Sequence, residues 1–314
     1  MGNNGHIARI VPKAALAFAF VFSLAMVPAC GGGGGSSTSL SNVAEAAEGA
    51  NFNQPSEITM PDTSGVSGTV IDTSNVEQGY VCAAGESGAR LKFQVSKDGE
   101  TYNYDLPNDG SPTIYPMNMG SGSYTFRIMQ NVEGSNYVEL DASYADVSLD
   151  DEFDPFLVPN MFCNYNSNSA CVSKAREITG SATNVGEAVS AICLWVAANV
   201  SYDKAKAEKL SKGTGYVPDP DETLSTGTGI CFDYASLSAA MLRSMGIPTK
   251  LVTGYVGQDN LYHAWIMVYI DGVWQSAQFS VDRNTWSRCD VTFASTGATK
   301  YTGDASAYTD KYTY

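Results

Sequence analysis

The spacing of apolar residues changes period part-way along the chain, and that change limits the fold more than any other feature. Between about residues 64 and 150 the apolar positions alternate. The runs "GTVIDT", "GYVCAA", "RLKFQV", "TYNYDL", "SYTFRIMQ" and "NYVELDASY" are rich in β-branched and aromatic residues. Period two marks strands with one face on a core. Asp98-Gly99 joins two runs as a tight hairpin turn, and Asp109-Gly110 and Gly120–Gly122 mark further turns. From about residue 168 the step becomes three and four. Val185, Ala188, Val189, Ile192, Cys193, Val196 and Val200 predict an amphipathic helix, with Asn184 and Glu187 as its capping box. Two more helices are predicted, over "YDKAKAEKLSKG" to a stop near Gly213 and over "FDYASLSAAMLRSMG" to Gly246. The strands "KLVTGYV" and "HAWIMVYI" and a turn at Asp271-Gly272 follow. A small all-β, sandwich-like domain over residues 63–152 and an α+β domain over residues 153–314 satisfy both periods.

Ahead of both domains the chain reads as targeting signal and tether. Behind Arg9 and Lys13, "AALAFAFVFSLAMV" is apolar without interruption. Fourteen residues fall short of a bilayer core of about 30 Å but suit the core of a signal peptide. The run ends in "VPAC", which resembles the bacterial lipobox, although Pro28 departs from the usual pattern. On that resemblance residues 1–29 are a signal peptide, Cys30 is the lipidation site, and residues 30–62 are a lipid-anchored flexible linker that opens with five glycines. The expected location is the outer face of a bacterial cell membrane. Cleavage near Ala29 without acylation gives a secreted chain instead.

Net charge is −15, from 18 basic and 33 acidic residues, which disfavours phosphate backbones and excludes nucleic acid as an expected partner. Lys204, Lys206, Lys209 and Lys212 form a basic cluster that reads as a solvated helix face. An exported chain can hold disulfides. Cys163 and Cys171 lie close together in a loop-like stretch and could pair. Cys193, on an apolar stripe, reads as a small core residue, and Cys82 and Cys289 have no assigned role. There is no CxxC pair and no histidine cluster, so no zinc site is expected. The carboxylates of "DPDE" (219–222) lack calcium-loop spacing and read as a proline-bearing turn. Neither metal nor cofactor is expected.

Cys231, in "GTGICFDYASL", stands at the predicted start of a helix. Unpaired N–H groups and the helix dipole there favour a thiolate, and the same N–H groups can receive the oxyanion of a tetrahedral intermediate. A thiolate nucleophile needs an imidazole partner. The chain has two histidines, and His6 falls in the signal peptide, which leaves His263. Asp271, Asp282 and Asp290 are candidates to orient its ring. The bland alternative is a core cysteine and an unrelated, satisfied histidine.

Three stretches decide between these readings. "GICFDYASLSAAMLRSMGIPTKLVTGY", "YHAWIMVYIDGVW" and "WSRCDVTFAS" resemble, in this order, the motifs of the transglutaminase-like superfamily of papain-type thiol enzymes. The lead-in "GYVPDPDETL" fits too, and the resemblance covers about half the chain. Val291 stands where the family usually has proline. The resemblance implies a cysteine helix packed on a short antiparallel sheet, with Cys231, His263 and Asp290 as catalytic triad. The animal enzymes take a second oxyanion donor from an upstream tryptophan; none precedes Cys231 closely here, and Tyr216 is the candidate substitute. Asp233 and Tyr234 match the motif and read as structural, fixing the helix start. The resemblance implies a cysteine protease or amidase acting on peptide or isopeptide bonds; the expected anchor and tether, by place, make cell-wall peptides a natural substrate. The alternatives are a crosslinking acyltransferase and a non-catalytic surface binding or adhesion lipoprotein. Oligomeric state is not legible.

Overall fold

A computed structural model describes residues 58–61, 68–211, 213, 215–257, 261–269, 275–276, 279–280, 286–296 and 308–314. The predicted signal peptide, Cys30, most of the linker, Asp271, Gly272 and Asp282 lie outside these residues. No helix among the described residues is long and apolar enough to cross a membrane.

The alternating runs form two antiparallel sheets. One has the order β4-β3-β6-β7, from β3 (Leu91–Lys97), β4 (Glu100–Leu106), β6 (Gly122–Glu133) and β7 (Asn136–Val147). The other has the order β1-β2-β5, from β1 (Thr69–Asp72), β2 (Tyr80–Gly85) and β5 (Thr113–Pro116). Period two places Leu91, Phe93 and Val95 of β3 and Tyr124, Phe126 and Ile128 of β6 in one core, with Val81, Ala83 and Tyr115 from the second sheet. Asp98 and Gly99 take φ values of 52° and 86°, which a two-residue hairpin turn requires. Strand β5 was not anticipated. Its four residues are too few to show alternation, and it ends in Pro116.

The second half packs α1 (Ala170–Thr179), α2 (Val185–Asn199) and α5 (Cys231–Arg243) against a four-stranded antiparallel sheet. That sheet has the order β14-β11-β10-β15, from β10 (Thr249–Val256), β11 (Leu261–Tyr269), β14 (Trp286–Cys289) and β15 (Tyr308–Thr313). Between β11 and β14 lies a two-residue pairing of β12 (Gln275–Ser276) with β13 (Phe279–Ser280). Helix α5 is the centre of this half, and every residue from Asp233 to Arg243 is buried. Its many small residues, Ala235, Ser236, Ser238, Ala239 and Ala240, allow neighbours on all sides. Gly246 (φ 75°) then ends the helix run as expected.

One predicted turn is a helix. Asp219 accepts hydrogen bonds from the Asp221 and Glu222 amides and opens α4 (Pro220–Thr226), with Pro220 at its first position. The Asp221 carboxylate reaches the Ala170 and Cys171 amides at 3.0 and 2.8 Å, so one acidic turn caps two helices. The pairing considered for Cys163 and Cys171 is not made: both are free thiols. Cys163 lies within 3.9 Å of the Ser236 carbonyl, while Cys171 is fixed in the first turn of α1. Burial in the helical core pushes the Cys163 thiol up to about 11, against a smaller opposing effect of Arg243.

The two halves share residues. Phe162 and Tyr314 pack against both cores, and all described residues fall in one compact unit. Arg243, at the end of α5, is 1% exposed and spends its guanidinium on three main-chain oxygens. They are Thr249 (2.8 Å), Val158 (2.7 Å) and Tyr314 (2.7 Å), so one side chain ties the central helix to β10, to the link between the halves and to the end of β15. Each buried acceptor stranded without a donor costs about 1–3 kcal/mol. Arg243→Met is therefore expected to destabilise the protein by roughly 3–5 kcal/mol. Urea unfolding followed by circular dichroism measures it, and a loss under about 1 kcal/mol would refute the role.

Candidate active site

Cys231 is the first residue of α5, and the turn before it fixes that position. Ile230 is extended (φ −97°, ψ 177°), and its amide donates to the Asp233 carboxylate at 2.8 Å. Asp233 has no solvent exposure; it also accepts the Tyr216 hydroxyl and pairs with Lys206 Nζ at 2.8 Å. A Cβ on Gly229 would lie 2.6 Å from the Asp233 Cβ, so the glycine of "GIC" makes room for the carboxylate that starts the helix. The lead-in is held from the other side. β8 (Ser201–Tyr202) pairs in parallel with β9 (Thr228–Gly229), and the Tyr234 hydroxyl donates to the Val200 carbonyl at 2.6 Å.

His263 lies on β11 opposite Gly254 of β10. Its ring is 4% exposed, and Nε2 stands 2.9 Å from Asp290 Oδ2. Asp290, also 4% exposed, immediately precedes α6 (Val291–Thr296). Val291, in place of the family's proline, is buried in the helical core and begins that helix. Burial by itself would lower the His263 pKa. Hydrogen bonds to Asp290 and to Cys231, with the charges of both, override it and raise the value from 6.5 to about 10. Because Nε2 is engaged by Asp290, Nδ1 is the nitrogen left to face Cys231. The three side chains expected from the sequence are thus brought together.

Cys231 is half-buried, whereas Cys82, Cys163, Cys171 and Cys193 are buried. Burial pushes the Cys82 thiol up to about 12, and burial and Asp221 push the Cys171 thiol higher still. Those thiols are poor nucleophiles.

Two expectations need correction. Tyr216 has a single O–H, and it donates to Asp233 rather than pointing at a substrate oxygen. Lys204 and Lys209 are exposed as expected and Lys212 lies outside the described residues, but Lys206 is half-buried. It pairs with buried Asp233, and its ammonium lies 4.7 Å from the centre of the Tyr216 ring. Helix α3 (Lys204–Leu210), which begins right after β8, carries it there. A third residue went unread. The Tyr308 hydroxyl donates to Asp290 Oδ2 at 2.9 Å, from β15. The signal was the alternation of Tyr308, Tyr312 and Tyr314 with polar residues in "YTDKYTY".

The His263 shift has a thermodynamic consequence. A folded-state pKa of about 10 against 6.5 contributes stability that is complete below pH 6.5 and is lost as pH rises towards 10. Melting temperatures of the wild type and His263→Gln, compared at pH 6, 8 and 10, should therefore converge as pH rises. A gap that stays constant would contradict the shift.

Residues 172–290 match the family model described as the transglutaminase-like superfamily. An uncharacterized protein of Mycobacterium leprae is 30% identical over 134 residues, covering 40% of this chain and 44% of the relative. A UPF0252 protein of Methanocaldococcus jannaschii is 35% identical over 91 residues, 26% of each chain. The chain thus spans less than half the length of these curated relatives. A solved structure from Cytophaga hutchinsonii, described as a "putative cysteine protease", is similar with a TM-score of 0.40 at 19% identity, over 79% of this chain and 77% of that one. Cys231, His263 and Asp290 all fall within the stretch that matches the transglutaminase-like superfamily.

Proposed function

We propose that the chain is an exported thiol acyl-enzyme that hydrolyses peptide or isopeptide bonds. Cys231 is the nucleophile, His263 its proton partner and Asp290 the group that orients the ring. One observation supports this above the others: the incompletely buried thiol and a buried carboxylate share one imidazole, which both hold in its charged form. The Cys231 thiolate attacks the carbonyl carbon. The resulting oxyanion is received by the Cys231 amide, one of the first-turn N–H groups that a helix leaves unused. His263 gives its proton to the departing amine, and a thioester remains. Water then attacks the thioester while neutral His263 takes its proton; the acid leaves, and thiolate and imidazolium are restored. Asp290 stays ionised throughout.

An amine in place of that water would give crosslinking. Hydrolysis is proposed because it needs no site beyond these residues. Anchoring through Cys30 on a glycine tether would put the domain beside the cell wall, whose stem peptides are the proposed substrates.

The mature protein should cleave such peptides, with products identified by mass spectrometry. Cys231→Ala is expected to abolish cleavage, and Asp290→Asn to lower kcat/KM roughly 10²-fold or more. Iodoacetamide at pH 6 should label Cys231 rapidly in the wild type and slowly in His263→Ala. Equal, slow labelling in both would leave a non-catalytic binding protein, and products carrying an added amine would mean acyl transfer. Cys30→Ala should move the protein from the detergent phase to the aqueous phase on partitioning; an unchanged distribution would refute the anchor.

A further inference from the structure

We infer that Tyr308 is a positioning residue of the site, delivered by a strand beyond the stretch that matches the family model. The inference rests on the catalytic reading above. Its geometry begins in β10, whose residue Gly254 is flanked by His263 on one side and Asp310 of β15 on the other. A Cβ on Gly254 would lie 2.1 Å from the Thr309 carbonyl oxygen and 2.9 Å from the Trp265 ring, contacts that real side chains do not make. The absence of that Cβ lets β15 come close. The register shifts between Thr253 and Gly254, and Tyr308 comes level with Val256. From there its hydroxyl reaches Asp290 Oδ2 at 2.9 Å, the same oxygen that His263 Nε2 approaches at 2.9 Å.

Two donors on one carboxylate oxygen fix its direction more tightly than one. Asp290 stands at the head of a six-residue helix, and Tyr308 adds a second donor to the oxygen that His263 approaches. Tyr308 is itself held. Its ring meets Trp265 edge-on, with centroids 5.0 Å apart at 74°, and Trp265 is stacked beside His263 at 6.3 Å. The aromatic pair thus encloses the imidazole–carboxylate contact on the side where β15 lies, and water competition for the hydrogen bond falls accordingly. Among the described residues, titratable groups that bear on the imidazole include Cys231 from α5, Asp290 from the residue before α6, and Tyr308 from β15 through its hydrogen bond to Asp290. Asp310, level with Gly254, is the nearest acidic residue of β15 in the register.

The sharpest test reads His263 directly. After removal of residues 1–29 it is the single histidine, so its ring nitrogens can be followed by ¹⁵N NMR without ambiguity. In Tyr308→Phe, which keeps the ring packing, the His263 titration midpoint is expected to fall by about one pH unit or more. Cys231 labelling by iodoacetamide should slow roughly tenfold. Gly254→Ala, which displaces β15, should lower the midpoint in the same sense. A midpoint that stays in place or rises in Tyr308→Phe would overturn the inference, and Tyr308 would then be packing alone, whatever happens to the melting temperature. The two proposals fail separately. Slow wild-type labelling that ignores His263→Ala would remove the catalytic reading, while the NMR midpoint still decides whether Tyr308 orients the pair.

Discussion

Everything at the site hangs from a carboxylate that touches no water. Asp233 accepts a main-chain amide, a tyrosine hydroxyl and an ammonium, each from a different segment. An ionised group in that position costs several kcal/mol in desolvation, and it persists only because all its partners are in place. In return the partners are fixed with respect to one another. Ile230 is set as the last extended residue, Cys231 becomes the first helical one, and α3 is drawn in through Lys206. A thiol one residue earlier would sit in extended chain without the helix dipole, and one residue later it would rotate about 100° away around the axis.

The sheet performs the complementary task. Along β11, Ala264, Ile266 and Val268 join the helical core, while His263, Trp265 and Met267 turn to the opposite face. One strand therefore buries its core residues under α5 and presents an imidazole at the same time. Burial of that imidazole would favour its neutral form by itself. The carboxylate and the thiol beside it win because their hydrogen bonds are made in the same low-dielectric surroundings that penalise the charge.

How much of this could be read beforehand depended on whether the signal was local. The two periodicities, the Asp98-Gly99 hairpin, the cap at Asn184 and the stop at Gly246 all act within a few residues, and each was legible. The motif around Cys231 and the His263 strand carried the family resemblance, because their residue types follow from contacts close in sequence, such as Gly229 with Asp233. Helix α4 was hidden because its carboxylates do two jobs: Asp219 caps its own helix, and Asp221 caps a helix fifty residues away. The Lys206 pair and the Tyr216 hydrogen bond both converge on Asp233 from segments 27 and 17 residues upstream, and nothing in a helical run of lysines announces a buried partner. The thiols of Cys163 and Cys171 show the same limit in reverse. Proximity in sequence suggested a bond, and separate anchoring in the core kept them apart.

The all-β half also has a place in this chain of contacts. Strand β15 is gripped from that half at its far end: the Thr313 amide donates to the Tyr102 hydroxyl at 3.3 Å, and the Asn118 amide group donates to the Thr313 carbonyl. Tyr102 meets Tyr312 and Tyr314 edge-on at 5.5 and 6.0 Å, and Arg243 binds the Tyr314 main-chain oxygen from beneath. The strand that carries Tyr308 to Asp290 is therefore clamped by the β half, by the end of the cysteine helix and by the glycine that admits it to the sheet. Residues on β4 and on the loop before β6 are thus mechanically connected to the imidazole through one strand. The all-β module is thus, in the folded chain, one of the supports of the strand that carries Tyr308.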